Sequence, residues 1–81
     1  MLKKREHKTY YIDDLKFIAI DHIVKNSNPK ILVLKTDVRG QLNNIEYNDI
    51  REIKINDETY YKVKYRMMVA SKNEDWYFEI L

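Results

Sequence analysis

Cysteine is absent from these 81 residues, and glycine, proline and tryptophan occur once each. Without cysteine the chain can form neither a disulfide framework nor a thiolate zinc site, so its stability must come from packed aliphatic and aromatic side chains. A single glycine leaves no Gly-rich phosphate loop, and the sequence also lacks a nucleophile elbow, a histidine pair at metal spacing and a calcium loop. Uninterrupted apolar runs are short, such as Ile31-Leu32-Val33-Leu34, against the roughly 20 residues of a membrane span. No apolar stretch follows Met1-Leu2-Lys3-Lys4-Arg5, which argues against a secretory signal. The expectation is a cytoplasmic protein with no membrane partner and one domain, since a chain this short supports one compact core.

The net charge of +2 is unevenly placed. Four of the 15 bases (Lys3, Lys4, Arg5, Lys8) and one of the 13 acids (Glu6) lie in residues 2–8, which leaves 11 bases against 12 acids. The sequence therefore divides into a flexible basic arm, residues 1–8, and a nearly neutral β domain, residues 9–81. A domain dedicated to nucleic acid carries a clear basic excess, because counterion release from phosphates supplies most of its affinity. Here only the arm and one strand face could serve that purpose.

What is present is organised around Thr59–Val69, TYYKVKYRMMV. Alternate residues separate into Thr59, Tyr61, Val63, Tyr65, Met67 and Val69 on one side and Tyr60, Lys62, Lys64, Arg66 and Met68 on the other. Extended backbone directs successive side chains to opposite faces, so this is a strand with one face in the core. A helix would scatter the three bases around its circumference.

The flanking segments supply partners. Thr9–Ile12 reads as a strand ending at an Asp13-Asp14 turn. Leu15–Val24 is rich in β-branched residues and has no coherent polar face on a helical wheel, so it is expected to be one strand covered on both faces. Asn26-Ser27-Asn28-Pro29 turns the chain back into Lys30–Thr36. Gly40 sits in the next turn, where it takes positive φ cheaply. Leu42–Tyr47 and Ile50–Ile55 read as two more strands around Asn48-Asp49. That pattern, IEYNDIREIKI, is similar to the junction that SH3-like and Sm-like small barrels make with a single 3₁₀ turn. The expected fold is all-β: a single-domain antiparallel meander, or a partly closed SH3-like or Sm-like barrel, of five to seven strands.

Hairpin geometry fixes expected registers. A three-residue Asn56–Glu58 loop sets Ile53 against Tyr61, Glu52 against Lys62 and Arg51, awkwardly, against Val63. A four-residue loop over Ser71–Glu74 sets Val69 against Trp76, Met67 against Phe78, Tyr65 against Ile80 and Arg66 against Glu79. Tyr61, Tyr65, Trp76 and Phe78 then share the inward side with the aliphatic residues and belong to the core.

No catalytic, cofactor-binding or metal-binding set emerges, and no cofactor is expected. His22 stands alone with Asp21 on the opposite strand face, and the acidic pairs Asp13-Asp14, Asp57-Glu58 and Glu74-Asp75 all fall in turns, where Asp is favoured for backbone reasons. The expectation is a non-enzymatic binding protein. Its candidate partner-binding residues are Tyr60, Lys62, Lys64, Arg66, Met68 and Tyr77. A mixed charged face also serves solubility, but Tyr, Met and Arg are enriched where proteins meet, which favours a protein-interaction module or inhibitor acting through a sheet face or edge. Phage or bacterial inhibitors form one such group by size and composition. The alternative is weak DNA or RNA binding, with the arm and Lys62, Lys64 and Arg66 on phosphates and aromatics on bases. An open sheet edge also offers a route to a homodimer.

Overall fold

The computed structural model describes residues 6–81. Seven strands follow in chain order: β1 (Lys8–Ile12), β2 (Leu15–Ala19), β3 (Asp21–Lys25), β4 (Ile31–Thr36), β5 (Ile50–Lys54), β6 (Tyr60–Ala70) and β7 (Glu74–Ile80). They make one antiparallel sheet in the order β2-β1-β5-β6-β7-β4-β3, and no helix occurs among the described residues. The all-β reading holds, with the strand count at the top of the expected range. Residues 1–5 of the basic arm lie outside the described residues. Its last member, Lys8, already belongs to β1, and His7 Nε2 lies 2.8 Å from Asp37 Oδ1.

The two ends of this strand order are adjacent in sequence. β2 and β3 are separated by Ile20 alone, so the segment expected as one strand is two, pairing with β1 at one end of the sheet and with β4 at the other. The sheet must curl to allow this. Phe17 of β2 consequently meets Trp76 of β7 edge to face, with ring centroids 6.2 Å apart, although three strands intervene in the ladder. The sheet is not closed by a ladder. Side chains bridge the gap instead: Ile18 N–H donates to Gln41 Oε1 at 2.6 Å, Gln41 Nε2 donates to Ile18 O at 2.6 Å, and Thr36 Oγ1 donates to the same carbonyl at 2.6 Å. One main-chain bond, Ile20 N–H to Lys35 O at 2.8 Å, lies beside them.

Inside the curl, Tyr10, Ile12, Phe17, Ala19, Leu32, Leu34, Ile53, Val63, Trp76 and Phe78 form one buried cluster. Six of the seven strands contribute to it, which is how a short chain builds one core without cross-links. The β-branched and aromatic content of each strand suits this half-buried pleated surface.

Turn chemistry follows the sequence closely in the first hairpin. Ile12 pairs with Leu15, leaving Asp13 (φ 48°) and Asp14 (φ 68°) as a two-residue turn with both φ positive, the twist that matches the flanking strands. Asp13 then fixes β5 alongside, donating its N–H to Glu52 O at 3.0 Å and accepting Glu52 N–H on Oδ1 at 3.1 Å. Gly40 has φ 76°, and a Cβ there would meet no atom within 4 Å, so only backbone strain opposes substitution.

Two expectations are corrected in the second half. Leu42–Tyr47 forms no strand: it lies in the long connection from β4 to β5, where Leu42 and Ile45 pack against the core from irregular backbone. The turn before β5 is not 3₁₀ either, and Asn48 in it takes φ 72°. The β5–β6 register is the expected one, with Ile53 opposite Tyr61, Glu52 opposite Lys62 and Arg51 opposite Val63. Arg51 is accommodated at that position, half-buried, by acceptors at the sheet's end: Asp13 Oδ2 at 3.1 Å, Asp49 Oδ2 at 3.2 Å and Asn44 O at 3.1 Å.

The larger correction concerns β6 and β7. Ala70 pairs with Glu74, so the loop is three residues, Ser71–Asn73, and the ladder runs Val69 to Asp75, Met68 to Trp76 and Met67 to Tyr77. Between Tyr65 and Met67 the register shifts, and beyond the shift Tyr65 faces Phe78, Lys64 faces Glu79 and Val63 faces Ile80. Arg66 is the extra residue of a β-bulge. A bulge inserts one residue on one strand and so exchanges the faces of everything beyond it. Tyr61, Val63 and Tyr65 point inward as expected, but Met68 rather than Met67 packs against the core. Met67 and Val69 are exposed, at 52% and 42%.

Candidate protein-binding face

The candidate surface is the convex outer face of β6 and its neighbours. Tyr60, Lys62 and Arg66 are exposed on it, with Lys64 and Tyr77 half-buried. Met68 leaves the set, because the bulge turns it inward, and Met67 stands in its place opposite Tyr77.

Cross-strand pairing decides the electrostatics of this face. Lys62 stands opposite Glu52, and Lys64 stands opposite Glu79. Arg66 Nη1 lies 3.7 Å from Glu79 Oε1, while its guanidinium sits over the Tyr47 ring, 5.1 Å from the centroid. Two carboxylates, Glu52 and Glu79, thus stand among the three cations of the stripe, with Glu79 neighbouring both Lys64 and Arg66. Exposed neighbours of this kind add little stability, up to about 1 kcal/mol each, but they lower the local positive potential.

Beside the charged stripe runs an apolar row. Successive ladder pairs join Ile23 to Val33, Val33 to Tyr77 and Tyr77 to Met67, across β3, β4, β7 and β6. Val33 is only 2% exposed despite facing outward, because its neighbours cover it; Ile23 is 40% exposed. Lys25 Nζ lies over the Tyr77 ring at 5.5 Å from the centroid, leaving its aliphatic stem along the row. The sequence carried one trace of this row, the run Ile31–Leu34 that is apolar on both faces. Which strand each member came from depended on non-local pairing and on the bulge.

A second surface feature is an open acidic cleft of about 560 Å³ lined by Tyr11, Asp13, Asp14, Glu52, Lys54 and Asp57. Read singly, Asp13, Asp14 and Asp57 are turn residues and Glu52 a strand residue; the β1–β5 pairing brings the Asp13-Asp14 turn beside Glu52. Nearby, Asp49 is held below its ordinary carboxylate value, first by the Glu46 N–H that it accepts at 2.9 Å and then by the Arg51 guanidinium, whose own value is raised by the same contact. Among the described residues no group of three or more His, Asp or Glu side chains has the geometry to hold a metal ion.

Inside the curl, Tyr10 Oη and His22 Nδ1 lie 2.7 Å apart, joining β1 to β3. Burial, with the Asp21 carboxylate second, raises the Tyr10 phenol above its ordinary 10.0. His22 is thus placed by a core tyrosine and not by Asp21, whose Oδ1 accepts the His22 main-chain N–H at 2.8 Å. The indole Nε1 of Trp76 is buried without a partner, a local cost of about 1–3 kcal/mol that the surrounding aromatic packing must exceed.

Comparison with family models, curated proteins and solved structures gives no match to this chain. Among the described residues no helix is long and apolar enough to cross a membrane.

Proposed function

We propose that this protein is a small non-enzymatic interaction module, an adaptor or inhibitor, that binds another protein through the outer face centred on Met67 and Tyr77. The observation that carries this reading is the apolar row on that face, with Met67 half exposed opposite Tyr77, beside three bases that share Glu52 and Glu79 as neighbours. Burying a methionine and a tyrosine inside a rim of mixed charges suits a protein partner, whose interfaces have apolar centres and polar rims. It suits a phosphate backbone poorly, since affinity there comes from a clear excess of bases that release counterions, and here carboxylates are interspersed.

Capture from cells of its source, followed by mass spectrometry, tests the proposal when it is run with the parent chain and with Met67→Asp in parallel. A protein retained by the parent and lost by the variant is the expected outcome. Recovery of DNA or RNA, with affinity falling by orders of magnitude between about 50 and 200 mM salt, would support the nucleic-acid alternative instead.

A further inference from the structure

We infer that the free edge of β3 pairs antiparallel with the same edge of a second copy of this chain, about a two-fold axis at Ile23. The two terminal strands of the sheet are treated differently. At Ile18, the outward-directed N–H and C=O of β2 are taken up by Gln41 and Thr36, so that edge is capped there. β3 pairs only with β4, and no strand among the described residues covers its other side. Ile23 and Lys25 also border the outer-face row, but the main-chain pairing inferred here does not depend on that face binding a partner.

The phase of the ladder suits self-pairing. His22 N–H is held by the Asp21 carboxylate and not by β4, so in this antiparallel strand His22 and Val24 direct their main-chain groups to the free edge. A two-fold at Ile23 sets His22 opposite Val24 of the second copy, and Val24 opposite His22. Each pair exchanges two N–H···O=C bonds. Ile23, 40% exposed, then meets its own copy on the outer face.

The side chains flanking Ile23 decide between blocking and allowing this contact. Edge strands are ordinarily guarded by charged side chains, especially Lys, and like charges set opposite each other repel a second copy. Here Asp21 and Lys25, both exposed, stand two residues on either side of Ile23 with opposite signs. The two-fold therefore sets Asp21 against Lys25 of the second copy, twice. Pairing frees the Asp21 carboxylate from His22 N–H, which then donates to the Val24 carbonyl across the axis. Five-residue strands bury far less than the roughly 1,200 Å² of a standard interface, so this is a weak dimer whose population rises with concentration.

Two measurements on the full chain test it. The sequence has no cysteine, so Ile23→Cys introduces one thiol; at a non-hydrogen-bonded pair on the axis its copy lies about 4.5–5.5 Å away between Cβ atoms, close to disulfide reach. Mild oxidation should cross-link this variant much faster than Lys16→Cys, an exposed position on β2 at the other end of the sheet. In sedimentation equilibrium the parent should dimerise at high micromolar concentration. Asp21→Lys should weaken that association on the order of tenfold, and Asp21→Lys with Lys25→Asp should restore it. The inference is overturned by a parent that stays monomeric, by equal cross-linking rates, by an Asp21→Lys chain that associates as well as the parent, or by a charge swap that fails to rescue.

Discussion

The side-chain amide of Gln41 takes both main-chain groups of Ile18, accepting its N–H and donating to its C=O at 2.6 Å each. One residue thus does for β2 what a neighbouring strand would do. Gln41→Ala should leave the part-buried Ile18 N–H without its acceptor, the carbonyl keeping Thr36 Oγ1, and cost about 1–3 kcal/mol, read as a lower urea midpoint with unchanged slope. Faster exchange of the Ile18 amide should accompany it. An unchanged midpoint would mean that water replaces the amide without loss.

Removing the aromatic centre should be far more damaging. Trp76 packs against Phe17 and Tyr65, and Tyr65 against Phe78, at centroid distances of 5.6–6.2 Å. Trp76→Ala is expected to cost about 3–5 kcal/mol, a large part of what so small a domain holds in reserve. Tyr65→Ala should follow the same direction. Thermal melts of both variants that overlay the parent would contradict the inward placement of these rings.

Adjacent methionines should behave oppositely across the bulge. Met67→Asp adds a charge at an exposed position and should change stability by no more than about 0.5 kcal/mol, whereas Met68→Asp puts a carboxylate against the core and should cost several kcal/mol. Chemical denaturation of the pair reads the face exchange directly. The reverse ranking would mean that the alternation runs unbroken through Arg66.

That bulge also marks how far the sequence could be read. Ile53 against Tyr61 and Glu52 against Lys62 were legible because a three-residue loop and a regular alternation fix each other. The Asp13-Asp14 and Asn26–Pro29 turns were legible because their residue types suit few other conformations. Beyond Tyr65, alternation continues in the sequence while the backbone skips a residue, and nothing local distinguishes Met67 from Met68. The break at Ile20 was hidden in the same way. A run of β-branched residues fits one long strand or two short ones, and only the need to bring β2 and β3 to opposite ends of the sheet chooses between them. Of the candidate face, its bases and tyrosines could be read from one strand and its neighbour, but the apolar row through Ile23 and Val33 could not, since it is assembled across four strands.

Acid should act through Asp49. Its folded value lies below the ordinary 3.8, so the unfolded chain takes up that proton first and the group's contribution to stability is fully present only above about pH 4. That contribution should disappear as pH falls through the depressed folded value. Asp49→Asn should therefore be less stable than the parent at neutral pH and converge with it in acid. Parallel stability curves for the two chains across this range would show that the Glu46 and Arg51 contacts do not hold the carboxylate.

The central claim is that Met67 on the outer face, and not the cationic stripe, carries recognition. Its most direct measurement is a titration of the purified captured partner with the parent chain and with Met67→Asp, repeated at about 50 and 200 mM salt. The account predicts at least a tenfold loss of affinity for the variant and little change with salt. An affinity that survives Met67→Asp but collapses as salt rises would contradict it.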